Sequence, residues 1–174
     1  MLAYELQRWA EKHWPGFRDL HRDAEVMADL GGPVGDEASR EKFERYSRCW
    51  DVHGISRWAV VERESGRFLG YAGVMRRDDA DHPLGVHHEI GWRLCRDWWR
   101  RGVATASARD ALSLAWTTSD AWEILSYTAV DNIRSQRVMQ RLGLRRDATR
   151  DFTARYPAGR WSGLVWVADR PAAK

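Results

Sequence analysis

The 174-residue sequence lacks the features of secreted and membrane-spanning proteins. It has only two cysteines, Cys49 and Cys95, with no CxxC pair and no spacing typical of a secreted disulfide framework, so free thiols in a reducing compartment are expected. No apolar run approaches the length of a membrane span, and the N-terminus has no signal-peptide apolar core. We therefore expect a soluble, cytoplasmic protein with no membrane partner.

Charge and motif content exclude further classes of protein. The formal net charge of +3 permits anionic ligands but falls short of the basic stripe of a nucleic-acid binder. No GxxxxGK[ST] or GxGxxG motif occurs, which excludes a nucleotide P-loop and the dinucleotide fingerprint. His82, His87 and His88 lack a carboxylate or cysteine at familiar ligand spacing, so no metal site is expected.

The composition is that of an ordinary globular domain. Hydrophobic residues make up 44% of the chain and charged residues 30%, and the length predicts one domain over residues 1–174. Eleven tryptophans are an unusual number. We interpret most of them as packing residues, with a binding groove or a subunit contact as the alternative.

The order of predicted elements indicates a mixed α/β sheet. A first strand is expected within Met1–Trp9, followed by three helices that start near Pro15, Asp23 and Asp36. A three-strand meander, a helix, a strand, a second helix and a final hairpin follow. These segments are Ile55–Arg63, Arg67–Met75, Val86–Cys95, the helix after Gly102, Trp122–Val130, the helix Asn132–Leu142, and Arg145–Arg155 joined to Arg160–Ala168 by a turn at Tyr156–Gly159.

One basic turn is suited to an anionic ligand. The segment Trp98–Thr105 lies between a predicted strand and a predicted helix, and it contains Arg100, Arg101 and Gly102. Helix N-termini carry unpaired N–H groups and partial positive charge, so they attract phosphates. A strand-to-helix connection with two exposed arginines is the alternative interpretation.

A second segment places a hydroxyl on the inner face of a helix. Asn132 is suited to cap this helix. Ser135 shares its face with Val138, Met139 and Leu142 at offsets of three, four and seven. A serine that hydrogen-bonds the backbone of the preceding turn is the alternative.

Together these segments resemble the two signature regions of the GNAT acetyltransferase superfamily, and most closely its RimJ/RimL-type branch, which includes enzymes that acetylate ribosomal-protein N-termini. The resemblance rests on Glu89–Leu94, Trp99–Thr105 and Asn132–Leu144. Weaker similarity, at Leu6–Trp9 and Phe68–Gly73 among other segments, extends it over nearly the whole chain.

The resemblance implies a mostly antiparallel sheet of about six to seven strands with helices on both faces and a splay between strands 4 and 5. It also implies acetyl-CoA as co-substrate, in the splay. Backbone groups near Leu94 and Cys95 would hold the pantetheine arm, and Asn132 would hydrogen-bond it. The pyrophosphate would rest on the turn and helix start at Arg100, Arg101, Gly102, Val103, Ala104 and Thr105.

Departures from the family pattern affect the expected catalytic residues. Arg100 stands where the branch commonly has glycine, and no tyrosine lies between Asn132 and Gly143 to serve as general acid. Ser135, near the thioester sulfur, is the remaining candidate, or the thiolate leaves unassisted. For the base we predict Glu89, which strand alternation places on one face with His87, Gly91 and Arg93. A simple ion pair of Glu89 with Arg93 or another cation is the alternative.

The acceptor is not defined by the sequence. A protein N-terminal amine is one hypothesis, and a small amine such as an aminoglycoside, amino acid or polyamine is the second. An acidic acceptor groove would favour polyamines or aminoglycosides, and a candidate set of acidic residues is Asp36, Glu37, Glu41 and Glu44. We prefer to interpret these four residues as a solvated helix face. A non-catalytic acyl-CoA-binding module is the third hypothesis. A homodimer is common among members of the family and is a candidate assembly.

Overall fold

The structure is a computed structural model that describes residues 3–156 and 159–172. The first part contains β1 (Tyr4–Gln7), α1 (Trp14–Arg22), α2 (Ala24–Met27) and α3 (Asp36–His53), with 3₁₀ turns at Glu11–His13 and Ala28–Leu30. The elements that follow are β2 (Arg57–Glu62), β3 (Phe68–Arg77), β4 (His87–Leu94), α4 (Val103–Thr118), β5 (Glu123–Ala129), α5 (Ile133–Arg141), β6 (Arg145–Arg146), β7 (Phe152–Tyr156) and β8 (Gly159–Asp169).

The strands form one mixed sheet in the order β1-β2-β3-β4-β5-β8-β6, and β7 pairs with β8. Every pairing is antiparallel except that of β4 with β5, which is parallel. The predicted mixed sheet is therefore confirmed. Its eight strands exceed the predicted six to seven because one predicted strand is divided.

The division falls within the predicted strand Arg145–Arg155. A 3₁₀ turn at Ala148–Arg150 separates β6 from β7. The Asp147 carboxylate accepts hydrogen bonds from both the backbone N–H and the hydroxyl of Thr149, and such local side-chain bonds compete with a strand ladder. The expected cap at Asp36 is also corrected, since Gly35 caps α3 and Asp36 lies in its first turn. Pro157 and Ala158, in the predicted final turn, lie outside the described residues.

Helices cover both faces of the sheet. On β3, Tyr71 and Met75 pack into the core formed with α1, α2 and α3, whereas Val74 faces the core formed with α4 and α5. Trp9 and Trp50 are buried in the first core, in agreement with the packing interpretation of the tryptophans. In the part of the chain that the structure describes, none of the helices combines the length and apolarity that a membrane span needs.

Candidate active site

A groove opens where β4 and β5 separate. The two strands share one ladder position, Glu89 opposite Leu125. Next to it the Ser126 hydroxyl donates to the Ile90 carbonyl at 3.0 Å. Beyond this point the strands part, and a groove of about 440 Å³ lies between β4, the start of α4 and α5. Its lining includes Val26, Asp29, Trp92, Arg93, Leu94, Trp98, Trp99, Arg100, Gly102, Val103, Ala104, Thr105, Asn132, Arg134, Ser135, Arg137, Val138 and Arg141.

The N-terminus of α4 forms one end of the groove. Gly102 precedes the helix with a φ of +79°, in the left-handed region that favours glycine. The Ala106 N–H is the donor to the Gly102 carbonyl, at 3.0 Å. The amides of residues 103–105 precede this bond and have no intrahelical acceptor. No described side chain caps the helix, and a Cβ built on Gly102 meets nothing within 4 Å. These features fit an anion held by backbone amides.

The two arginines of the turn have different positions. Arg100 lines the groove and has a φ of +61°. Among the residues that the structure describes, it is the only non-glycine residue with a positive φ. A non-glycine residue in this region is strained. Arg101 does not line the groove, since its guanidinium lies over the Trp98 ring at 4.9 Å, while Arg67 lies at 4.6 Å from the same ring.

Additional arginines come from α5. Arg134 stacks over the Trp99 ring at 3.9 Å, and Arg137 and Arg141 also line the groove. Together with Arg100 they make the groove strongly cationic, as the phosphates of a nucleotide-containing ligand require. These three arginines of α5 were not among the predicted site residues. Their spacing of three and four residues on one helix face was the signal that could have identified them.

The predicted helix cap and the inward serine are both present. The Asn132 side-chain oxygen accepts from the Ser135 N–H at 3.1 Å. Ser135 lines the groove, and its hydroxyl makes no hydrogen bond within the described chain. By contrast, the Ser107 hydroxyl of α4 donates to the Val103 carbonyl of the preceding turn at 2.8 Å. The alternative in which Ser135 bonds the preceding turn is therefore not what the structure contains.

Leu94 and Cys95 lie at the end of β4, where an arm of the ligand is predicted. Leu94 lines the groove, and its carbonyl accepts from the Trp99 indole N–H at 2.9 Å. Cys95 is not among the residues that line the groove, and its N–H donates to the Leu69 carbonyl at 2.9 Å. Burial raises the pKa of the Cys95 thiol to about 11, so this thiol is protonated at neutral pH.

Glu89 is buried in an ion pair and does not contribute to the groove lining. Its carboxylate accepts from Arg57 at 2.8 Å and lies 3.6 Å from Arg77, with 13% of its side chain exposed. Burial raises the pKa of Glu89, but the charges of Arg57 and Arg77 outweigh this, and the net pKa lies below its ordinary value. The alternative, an ion pair of Glu89 with Arg93 or another cation, is confirmed with Arg57 and Arg77 as the cations. Arg93 instead pairs with Asp29. The role of Glu89 as a base stays a prediction.

The rings of two histidines and a tyrosine pack together, with His87 on β4 and Tyr127 on β5. The His82 and His87 rings lie 5.0 Å apart, and the Tyr127 ring lies within 6 Å of both. Burial lowers the pKa of each histidine, so both are neutral at pH 7. Across residues 3–156 and 159–172, no group of three His, Cys, Asp or Glu side chains is suited to hold a metal ion.

The acidic residues of α3 do not form a groove. Asp36, Glu37, Glu41 and Glu44 are exposed. Asp36 pairs with Arg22 at 2.6 Å, and Glu44 pairs with Arg40 at 2.9 Å. They belong to a solvated helix face, the second of the two interpretations that the sequence allowed.

Comparison with known proteins agrees with this geometry. Residues 4–145 match the family model described as an acetyltransferase (GNAT) domain. The chain is 25% identical over 125 residues to the uncharacterized protein YkkB of Bacillus subtilis (strain 168), covering 72% of this chain and 71% of that protein. It is 22% identical over 142 residues to the uncharacterized N-acetyltransferase YnaD of the same organism, covering 82% and 79%.

Solved structures share the fold at low sequence identity. A GNAT-family acetyltransferase from Bacillus anthracis superposes with a TM-score of 0.76 at 18% identity, covering 98% of this chain and 97% of that chain. The spermidine N-acetyltransferase of Vibrio cholerae, in complex with CoA and spermine, superposes with a TM-score of 0.74 at 13% identity. The match covers 96% of this chain and 95% of that chain. The ribosomal-protein-S5-alanine acetyltransferase of Vibrio fischeri superposes with a TM-score of 0.76 at 10% identity. The match covers 98% of this chain and 95% of that chain.

Proposed function

Because this chain belongs to the GNAT acetyltransferase family, we propose that it transfers the acetyl group of acetyl-CoA to a protein N-terminal α-amine. The observation that carries this proposal is the groove at the β4–β5 splay. There the free amides at the start of α4 meet the arginines of α5 beside the unpaired hydroxyl of Ser135. This combination fits a ligand with a phosphate-rich end and a reactive end.

Each part of the groove has a proposed task in holding the acyl donor. The amides of Val103, Ala104 and Thr105 would bind the pyrophosphate, and the open space at Gly102 lets it approach the backbone. The guanidiniums of Arg100 and the α5 arginines would bind phosphate oxygens. Leu94, Cys95 and Asn132 are retained as proposed contacts of the pantetheine arm.

The reaction itself is direct transfer. The amine nitrogen bonds to the carbonyl carbon of the thioester, the carbon–sulfur bond breaks, and the amine passes one proton to solvent water. The departing sulfur takes up one proton from a donor that solvent water then reprotonates. Ser135 is the proposed proton donor to the departing sulfur, because its hydroxyl is unpaired and lines the groove. Positioning and backbone hydrogen bonds to the developing oxyanion supply the rest of the rate enhancement.

The weakness of the available bases favours an α-amine as acceptor. Glu89 has a pKa below its ordinary value and is therefore a poor proton acceptor at neutral pH. Burial likewise lowers the pKa of His87. An N-terminal amine with a pKa of about 7.7–8.0 needs little help, whereas a lysine amine at about 10.4 needs much more.

Small polycationic amines are the second candidate class of acceptor. One structural neighbour is a spermidine acetyltransferase. In this chain, the carboxylates of α3 that would attract a polyamine are exposed, and those of Asp36 and Glu44 already pair with arginines. The missing tyrosine on α5 keeps a non-catalytic acyl-CoA-binding module as a third hypothesis.

Release of free CoA tests all three candidates. We expect purified protein to bind acetyl-CoA in isothermal titration calorimetry and to release CoA with peptides that have a free N-terminus. Peptides acetylated at the N-terminus but carrying lysine should react far more slowly. If only polyamines or aminoglycosides are acetylated, the acceptor is a small amine and not a protein N-terminus. If acetyl-CoA binds but no amine is acetylated, the result favours the non-catalytic acyl-CoA-binding module. Absence of acetyl-CoA binding would overturn the proposed function.

The role of Ser135 is tested by Ser135→Ala. Loss of a general acid typically lowers the rate by about 10²-fold or more, so we expect kcat to fall by about that factor while the acetyl-CoA dissociation constant changes little. Steady-state kinetics and calorimetry measure the two quantities. Ser113→Ala, at an exposed serine of α4, is the control that should leave both unchanged. An unchanged kcat in Ser135→Ala would remove Ser135 from the mechanism.

A further inference from the structure

Asp29 joins the two sides of the groove through its carboxylate. Its Oδ1 accepts from Arg93 Nη1 at 2.9 Å, and its Oδ2 accepts from Arg93 Nη2 at 3.3 Å and from Asn132 Nδ2 at 2.9 Å. Arg93 lies on β4, and Asn132 is the cap of α5. Asp29 itself lies in the 3₁₀ turn after α2. A single carboxylate therefore bridges β4 and α5 across the splay.

We propose that Asp29 is a positioning residue for acetyl transfer: through Asn132 it holds the first turn of α5, and with it Ser135, at a fixed distance from β4. This inference rests on the proposed function, because it assigns Asp29 to the same groove. Asp29 does not itself react in this proposal, and it acts through the two residues that it links.

The surroundings of Asp29 show why the link matters. Beyond the pair Glu89–Leu125 no described ladder position joins β4 to β5, so the backbone does not set the width of the gap. Arg93 is a firm anchor, since 12% of its side chain is exposed and it also donates to the Val26 carbonyl. A charge-assisted, two-pronged contact of this kind fixes geometry as well as adding energy.

Asn132 uses both ends of its amide at once. The oxygen accepts from the Ser135 N–H, and the nitrogen donates to Asp29. The orientation of this amide is therefore determined by the carboxylate on one side and the helix on the other. Because the Asp29 contact needs one acceptor facing one donor, its polarity can be reversed without changing the shapes or the net charge of the pair.

A reciprocal exchange provides the test. In Asp29→Asn one amide nitrogen must face the donor groups of Arg93 or Asn132, and in Asn132→Asp two carboxylates meet. Mismatched hydrogen-bonding groups are unfavourable where they are partly buried, so each single variant should lose about tenfold in kcat/KM for acetyl-CoA. The double variant D29N/N132D restores one donor and one acceptor and keeps an oxygen for the helix cap. We expect it to regain much of the α5 protection that either single variant loses. Its kcat/KM should stay below the wild-type value, because Asn132 is also a proposed pantetheine contact and Arg93 keeps one acceptor on residue 29 instead of two.

Hydrogen exchange at the start of α5 supplies a readout that does not depend on activity. We expect the Ser135 and Gln136 amides to exchange faster in each single variant and to regain protection in the double variant. Glu25→Gln is the matched control: it makes the same chemical change on the neighbouring helix, in an exposed pair with Arg96. It should alter neither exchange nor kcat/KM.

The possible outcomes separate this inference from the function on which it rests. The positioning role would be overturned if the Ser135 and Gln136 amides were no better protected in the double variant than in Asp29→Asn. It would also be overturned if Asp29→Asn equalled the wild type in both exchange and kcat/KM. If Asn132→Asp does not fold, the comparison of Asp29→Asn with the double variant is sufficient. If the wild type binds acetyl-CoA without turnover, the role of Asp29 in transfer fails, and hydrogen exchange alone tests whether Asp29 holds the start of α5. If the wild type binds no acetyl-CoA, the proposed function fails and the role of Asp29 in transfer fails with it.

Discussion

Replacing Gly102 with valine should weaken acetyl-CoA binding by at least about a hundredfold, which corresponds to about 2.7 kcal/mol. The Gly102 backbone is in the left-handed region, with a φ of +79°, and the space beside its Cα is open. On the proposed function, a branched side chain would occupy the space in which the phosphates approach the amides of α4. Isothermal titration calorimetry of the variant with acetyl-CoA measures the effect.

Gly143 offers a closely matched control for this substitution. It also has a φ of +79°, and a Cβ at this position would meet nothing within 4 Å, but it follows α5 and does not line the groove. Gly143→Val should therefore carry a similar backbone strain, of roughly 1–3 kcal/mol, and bind acetyl-CoA normally. Thermal unfolding of both variants shows whether the strain is matched. Equal acetyl-CoA affinities in the two variants would contradict the assignment of Gly102 to a phosphate cradle.

Replacing Arg57 with alanine should lower the free energy of unfolding by about 3–5 kcal/mol, because it leaves the Glu89 carboxylate buried without its main partner. This loss should be larger than that of any exposed ion pair. The Arg57 side chain is 4% exposed and donates to the Glu89 carboxylate and carbonyl, both at 2.8 Å. It also donates to the Gly73 carbonyl. Urea unfolding of Arg57→Ala measures the change in the free energy of unfolding.

Arg22→Ala is the comparison for a surface pair. Arg22 contacts Asp36 at 2.6 Å, but about half of each side chain is exposed, so its loss should cost at most about 1 kcal/mol. The difference in stability between the wild type and Arg57→Ala should also depend on pH, and it should shrink in acid. The lowered pKa of Glu89 in the folded wild type means that its stabilising contribution is present above the ordinary glutamate pKa of about 4.3 and is lost as the pH falls below that value. A loss in Arg57→Ala no larger than that in Arg22→Ala would contradict the assigned importance of the buried pair.

The parts of the site that could be predicted from the sequence depend on short stretches of neighbouring residues. Gly102 before a helix and Asn132 three residues before Ser135 are short-range signals, because capping and left-handed turns depend on neighbouring residues. The sheet could also be predicted from alternation and element order. These two helix starts, both present in the structure, form two sides of the groove.

The contacts that the sequence did not reveal depend on register. Strand alternation made Arg93 the obvious partner of Glu89, but the partner comes from β2. Arg57 pairs in register with Gly73, and Gly73 pairs with Gly91 on β4. A Cβ on Gly91 would lie 2.8 Å from the Arg57 guanidinium, so the glycine leaves the path open for this long side chain to cross to Glu89. No local pattern predicts such a crossing.

Asp29 escaped prediction for a similar reason. It lies 64 residues before Arg93 and 103 residues before Asn132, and a lone aspartate near the end of a short helix is ordinary in sequence. Only the packing of α2 against the end of β4 brings the three residues together. The division of Arg145–Arg155 into two strands was missed because the bonds of Asp147 to Thr149 compete locally with the strand.

The single ladder position between β4 and β5 has a thermodynamic consequence for the whole chain. The β1–β4 and β5–β8 halves of the sheet expose facing surfaces that come together only in the native fold. A ligand bound between them has affinity for the folded chain and none for the unfolded one. Mass action then adds about 2.7 kcal/mol of stability when the ligand is present at a hundred times its dissociation constant. On the proposed function, resistance of this protein to unfolding would rise and fall with the supply of its acyl donor.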